Sequence, residues 1–352
     1  MKKFIIMGEG VDSMKKKSMS LLVPILFLSS ILLSACNEEG DASSESKSTT
    51  TLSLAYELPD DHPWGEGAKK FKEIVEEKTN GEVKVEIYGN GALAGSGREI
   101  QEGAKVGTID IGISSTPMSL MNQYQDIFSL PYIFSSRNHA WEVLDGPIGD
   151  KVGEKLSEHN LTHLAYWEDG FRQITNSTRP ITKIEDFEGL RIRVPESEVR
   201  IETFNALGSS PLPMAWSEVF TALQQGTIDG QENPLSVIDS SSFYDVQKYL
   251  TISNHVYSPA TLFINTSKFD SLSKEQQEII MDAAKAGRDI NRQLNEKQDS
   301  ELVKELEEKG MKVTVIEENK PFQEATKTVW ESVINDIGGD AQEIVDEINK
   351  TQ

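Results

Sequence analysis

The chain has 352 residues, 37% of them hydrophobic and 26% charged, with 35 Lys and Arg against 57 Asp and Glu for a formal charge of −22. So acidic a surface excludes a nucleic-acid partner, whose phosphates demand clustered basic residues. One cysteine excludes an intramolecular disulfide, and the roughly 300 residues beyond the first fifty suffice for two ordinary domains.

At the start, Lys15–Lys17 precede an apolar run from Leu21 to Leu33, interrupted by Pro24, Ser29 and Ser30, and then L-S-A-C at Leu33–Cys36. A basic segment, a short apolar core and small residues read as a secretory signal over residues 1–35, and the core is short for a membrane span. L-S-A-C resembles the lipobox of bacterial lipoproteins, which implies that Cys36 is diacylated and becomes the new N-terminus. A free cysteine beside an ordinary signal is the alternative. Two acyl chains hold a protein firmly where one does not. Glu9 and Asp12 are unusual ahead of such a core, and translation from Met14 would remove them. Residues 36–50, almost devoid of apolar side chains, are expected to form a disordered tether.

Beyond the tether the elements alternate between strand and helix. Leu52–Tyr56 is a predicted strand, followed by a helix over Gly65–Lys78 with Phe71, Ile74 and Val75 on one face. Glu82–Tyr88 alternates Val83, Val85 and Ile87 as a half-buried strand does. The pattern then repeats itself. Glu99-Ile100 leads to G-T-I-D at Gly107–Asp110, and Glu218-Val219 leads through the same spacing to G-T-I-D at Gly226–Asp229. Ser96 and Ser217 stand at helix N-cap positions, and Gly107 and Gly226 at C-cap positions. Each unit reads as helix, stop and strand, the strands being Asp110–Ser115 and Ile228–Glu232; two similar α/β lobes follow. Leu161–Trp167 and Leu190–Val194 are further predicted strands. Ser273 with Gln276 forms a capping box that opens a helix continuing to Lys309 with Gly310 as its stop, or two shorter helices broken near 295–300.

Three motifs carry chemistry: G-F-R-Q-I-T-N at Gly170–Asn176, G-L-R-I-R-V-P at Gly189–Pro195 and G-T-I-D-G-Q-E-N-P at Gly226–Pro234. Period two puts Arg191 and Arg193 on one face of a strand, opposite Ile192 and Val194. A planar guanidinium matches a carboxylate through two parallel hydrogen bonds, but the residues alone leave Arg193 open between that role and a surface or salt-bridged one. An anionic ligand is compatible with the acidic chain. Distant charges are screened beyond about 8 Å, whereas a contact ion pair is worth about 4 kcal/mol at an effective dielectric near 20.

Taken together these motifs resemble the substrate-binding subunit of the tripartite ATP-independent periplasmic (TRAP) transporters, the DctP family, over nearly all of the chain past the tether. The resemblance implies a two-lobed type II periplasmic-binding fold with a long lobe-spanning helix. Lobe one would be residues 51–169 plus 258–298, and lobe two residues 170–257 plus 299–352. It implies that Arg193 grips a ligand carboxylate, that Arg172 supports it, that Asn233 supplies an amide and that Trp216 lies beside the ligand. Arg191 is then structural or solvent-facing, Gln231 and Glu232 serve loop architecture, and Trp216 also reads as a staple ahead of its helix. The echo gives Ser114–Thr116 in the first lobe the place that Glu232 and Asn233 hold in the second, so Ser114 is expected at the cleft, with Glu57, Arg98 and Glu99 toward the ligand's far end.

The five histidines show no metal-ligand spacing, and no phosphate-binding or dinucleotide fingerprint occurs, so neither cofactor nor metal is expected. The expected function is extracytoplasmic capture of an organic acid and its delivery to small and large membrane permease subunits, with the receptor lipid-anchored outside the cell membrane or in the periplasm. A sugar acid such as a uronate stands first as ligand, ahead of a C4-dicarboxylate. A secreted enzyme acting on sugar acids and a structural lipoprotein are the competing classes.

Overall fold

The structure, a computed structural model, describes residues 49–351. The expected signal segment, Cys36 and the tether up to residue 48 lie outside the described residues. Among the described residues no helix is long and apolar enough to cross a membrane.

The described residues form ten strands: β1 (Thr50–Ala55), β2 (Val83–Tyr88), β3 (Ile111–Ser114), β4 (Leu161–Asn176), β5 (Arg191–Val194), β6 (Ser210–Pro213), β7 (Gly230–Pro234), β8 (Tyr249–Ile252), β9 (Tyr257–Asn265) and β10 (Lys312–Val315). Their order is β2-β1-β3-β9-β4-β7-β5-β6, with β8 paired to β4 and β10. The two halves of this order are copies in topology. In the first, β1 pairs in parallel with β2 and β3, and β3 runs antiparallel to β9. In the second, β5 pairs in parallel with β6 and β7, and β7 runs antiparallel to β4. The repeated G-T-I-D thus leads into β3 in one half and β7 in the other. Gly107 and Gly226 end their helices at φ 82° and 68°, a backbone region that favours glycine.

The strand predicted at Leu161–Trp167 runs on to Asn176. Residues 161–171 pair with β9, and Arg172–Asn176 pair with β7. One chain therefore serves both halves of the fold. The register slips between Glu168 and Gly170, where Gly170 takes φ 128°. Such an irregularity bends a strand, here just before β4 passes from pairing with β9 to pairing with β7.

The helix Lys274–Glu308 is continuous over 35 residues, about 50 Å at 1.5 Å per residue. Its reciprocal Ser273–Gln276 capping box is formed as predicted. Within the stretch 295–300 that suggested a break, Asn295 is buried and donates to Glu168 O at 3.3 Å, and Asp299 pairs with Arg137 at 2.5 Å; the turn before it is polar and packed as well. Asn291 is buried, accepts from Glu168 N at 2.7 Å and donates to Glu168 O at 3.1 Å, while Arg292 binds Asp145 at 2.6 and 2.9 Å. These side chains bind the bent part of β4, so apolar residues are not required there. The helix Pro63–Lys78 crosses close by at Gly67, where a Cβ would stand 2.6 Å from the Trp167 ring and 2.9 Å from Gly287 O.

The core divides in the same sense. Leu52, Leu54, Val85, Ile111 and Leu262 centre one cluster, and Ile174, Ile192, Val194 and Phe204 another. A further cluster joins Phe128, Val143 and Tyr166 to Val329, Ile344 and Ile348 of the last two helices.

One cap differs from expectation. Ser217 is no N-cap: it lies inside a 3-10 turn, Trp216–Glu218, and the helix starts at Val219 without a side-chain cap. Trp216 packs its ring 5.7 Å from that of Phe243, and the tightened turn carries the indole into that position.

Candidate functional site

On β5 only the first residue is exposed. Arg191 is held at the surface by Asp229, through Nε at 3.0 Å and Nη2 at 2.8 Å. Arg193 is 4% exposed, and its Nε and Nη2 both donate to Met214 O, at 3.0 and 2.7 Å. Its guanidinium lies 5.9 Å from the Trp216 ring centroid. Among the described residues no carboxylate comes within 4.0 Å of it. Burial pushes its pKa down to about 10, so it keeps its charge at neutral pH. The end-on edge of the fork is left for a carboxylate.

Arg172 sits differently. On β4 it is 2% exposed and fully engaged: its Nε binds Glu232 Oε2, Nη1 donates to Asp169 Oδ2 at 2.9 Å, and Nη2 donates to Glu232 O at 2.6 Å and Asn233 Oδ1 at 2.9 Å. Burial opposes its charge, but Glu232 and Asp169 hold its pKa above the ordinary value. Burial likewise opposes ionisation of Glu232, yet Arg172, His255 and Arg200 hold it well below the usual carboxylate range. Burial keeps His255 neutral. Glu232 only accepts, so His255 Nε2–H donates to it at 3.2 Å, and Nδ1 accepts from the Ser253 hydroxyl at 2.8 Å.

The facing wall comes from the first half of the fold. Glu57, in the loop after β1, is 9% exposed, and among the described residues its Oε2 has no hydrogen-bond partner. Burial pushes its pKa up to about 8. Ser115 donates to Asp169 Oδ2 at 2.9 Å, so the first wall buttresses the Arg172 network. Glu57, Gly97, Ser115 and Thr116 line the same cleft as Arg172, Arg193, Trp216 and Asn233.

The structure brings Arg193, Arg172, Asn233, Trp216 and Glu57 together and leaves three expected residues aside. Ser114 lies behind the wall, accepting from Gln101 Nε2 at 2.7 Å; its neighbours Ser115 and Thr116 take the lining positions. Arg98 is exposed at the mouth and pairs with Glu196 at 3.2 Å. Glu99 is exposed and accepts from Gly95 N at 2.8 Å, serving its own helix start. Trp216 is both cleft wall and packing partner of Phe243. Glu232, expected in loop architecture, is instead the strand-borne counter-charge of Arg172. Asp169, Arg200 and His255 were not expected at all. The signal for Glu232 was its place two residues before Pro234, which stands opposite Arg172 in the β4–β7 register.

The cleft is drawn in to about 40 Å³, room for about three waters. A larger pocket of about 770 Å³ adjoins the cleft at Glu196, but Asp126, Glu158, Glu196, Glu198, Glu202 and Asp336 line it against Arg98 and Lys155. An anion is repelled there and attracted to Arg193, so chemistry favours the smaller cleft. Among the described residues no group of three or more His, Cys, Asp or Glu is placed to hold a metal ion.

Comparison with known proteins gives one consistent result. The family described as bacterial extracellular solute-binding protein, family 7, matches residues 54–336. The 2,3-diketo-L-gulonate-binding periplasmic protein of Escherichia coli K12 is 33% identical over 310 residues, 87% of this chain and 94% of the relative. The sugar acid binding protein DctPAm of Advenella mimigardefordensis, solved with galactonate, superposes with a TM-score of 0.83 at 36% identity, covering 86% of this chain and 99% of its own. A TRAP periplasmic solute binding protein from Sulfitobacter, solved with β-D-galacturonate, gives 0.81 at 30% identity over 84% and 98%.

Proposed function

The chain belongs to bacterial extracellular solute-binding protein family 7, the substrate-binding subunits of TRAP transporters, and from that premise we propose that it captures a sugar acid through Arg193. The observation that carries this reading is a buried, charged guanidinium with no carboxylate in contact, beside a second arginine whose charge is already met. A ligand carboxylate supplies the missing anion, and the fork gives it two parallel bonds. Arg172 orients Asn233 toward the cleft, and Trp216 offers an apolar face to a sugar ring. The sugar-acid ligands of the relatives support the same chemical class.

The receptor closes two lobes around the acid and hands it to small and large membrane permease subunits. The lobes are residues 51–169 plus 258–298, and 170–257 plus 299–352. What supports this division is the change of partner along β4 after Phe171 and the start of β9 at Tyr257. A cleft of about 40 Å³ cannot admit a six-carbon acid unless the walls part, so capture proceeds through opening and closure. Cys36 anchors the receptor outside the cytoplasm through its acyl chains.

Titration calorimetry of the purified protein with D-galacturonate, D-glucuronate, D-galactonate and succinate tests the reading. The expected result is tight binding of at least one sugar acid, weak binding of succinate, and loss of binding in Arg193→Ala. Preference for succinate would turn the assignment to C4-dicarboxylates, and binding by Arg193→Ala at wild-type strength would refute the arginine's role.

A further inference from the structure

Resting on that reading of the cleft, we infer that Glu57 is a specificity-determining residue that takes up a proton as the lobes close: it meets the ligand as a neutral hydrogen-bond donor and shuts out a second carboxylate.

The geometry carries the argument. Glu57 is more than nine-tenths buried, and its Oε2 is shielded from solvent with no hydrogen-bond partner. Its Oε1 and the Ser114 hydroxyl lie against Gly97, where a Cβ would stand 3.3 Å from the one and 2.6 Å from the other. A side chain at position 97 would displace the carboxyl, so the glycine keeps a place for it on the cleft wall. Among the described residues no cation lies within 4.0 Å of Glu57. The charged groups facing the cleft around it are Asp169 and Arg172 on β4, and Arg193 and Glu196 on and after β5. Arg172 is matched by Glu232 and Asp169, and Arg98 at the mouth is engaged with Glu196. Among the described residues that line the cleft, Arg193 is the cation left for the ligand.

Charge balance follows. One ligand carboxylate neutralises Arg193; a second would stand near Glu57 with no cation to receive it. Burying an unpaired carboxylate is far costlier than burying a neutral carboxyl, so Glu57 ionised is incompatible with closure. Burial is the leading cause of its raised pKa, about 8, with Asp169 adding to it, and it outweighs Glu57's own backbone N–H and Arg193, both of which favour the anion. In the opened protein the carboxyl meets water and ionises in the usual range. Closure on a ligand at neutral pH therefore binds close to one proton at Glu57, which then donates to a hydroxyl or carbonyl oxygen of the ligand.

The test is calorimetric titration of the purified protein with D-glucuronate and with D-glucarate, its two-carboxylate counterpart. Each is run in phosphate and in Tris and across pH 6 to 8.5. Wild type should prefer glucuronate by at least about tenfold, take up close to one proton on binding it, and lose roughly tenfold in affinity per pH unit between about 6 and 7.5. Glu57→Gln keeps a donor but cannot titrate. It should abolish the uptake, flatten the pH profile and bind glucuronate more tightly than wild type at pH 8.5. Binding without proton uptake, or uptake that persists in Glu57→Gln, would overturn the inference while leaving the sugar-acid reading intact. Binding of neither acid would overturn both.

Discussion

Arg172 and Arg193 are two buried arginines in one cleft with opposite energetic roles, and substitution should separate them. Arg172→Met deprives Glu232 and Asp169, both more than nine-tenths buried, of the cation they bind directly, with Arg200 left only at 4.0 Å from Glu232. Breaking a buried pair this way costs about 3–5 kcal/mol. Arg193→Met removes only two bonds to Met214 O and relieves the desolvation of a guanidinium with no contact anion. The ligand-free protein should therefore change by no more than about 1 kcal/mol in either direction. Binding should invert the order. Arg193→Met forfeits a charge-assisted fork, at about 1.5–3 kcal/mol per bond, or at least about two decades of affinity. Arg193→Lys keeps the charge but loses the fork and should cost about one decade. Arg191→Ala, whose partner is the exposed-edge Asp229, should bind as wild type. Urea denaturation of the ligand-free variants and calorimetric titration of each supply the two scales. Acid titration adds a third check. Glu232 has its folded pKa held below its unfolded value of 4.5, so its stabilising share is full above about pH 4.5 and declines as pH falls toward the folded value. An Arg193→Met protein as unstable as Arg172→Met, yet still binding ligand, would refute this division.

Arg98→Ala should weaken ligand binding by less than about threefold, chiefly through faster release, because its pair with Glu196 is solvent-exposed; stopped-flow release of ligand reads this, and a loss beyond tenfold would return Arg98 to the cleft. Gly67→Ala forces a methyl against Trp167 and Gly287 O and should destabilise by about 1–3 kcal/mol, visible in thermal unfolding. Cys36→Ser should move the protein from the membrane fraction to the soluble extracytoplasmic fraction with its fold intact. Raising ionic strength from about 0.01 to 0.15 M shortens the screening length from about 30 to 8 Å. That should speed association of an anionic ligand with this acidic chain and leave release nearly unaltered; slower association at high salt would contradict the charge argument.

How much of this was legible in the sequence depended on whether the signal was local. Helix caps and stops are local, and the Ser273–Gln276 box and the glycines at 107 and 226 stood where their spacing put them. The G-T-I-D repeat was legible for the same reason, and it revealed two lobes with the same strand order. The continuity of β4 was not, because Gly170 reads as an end while in the fold it is a bend within a strand. Nor was the unbroken long helix certain, since apolar residues lapse over 295–300 and only the fold shows Asn295 bound to β4 at Glu168 O and Asp299 bound to Arg137.

The cleft divides along the same line. Arg193 was found because R-V-P is a contiguous motif, whereas the reason it is free to act lies in long-range pairing that no motif records. Glu232 and Asp169 occupy Arg172 from positions 60 and 3 residues away, and only the β4–β7 register makes the first of these a neighbour. Without them the cleft would hold two unmatched cations beside Glu57, and a dicarboxylate would satisfy it. With them it holds one. On the proposed reading, the selectivity of the cleft would come less from the arginine that meets the ligand than from the carboxylates that silence the arginine beside it.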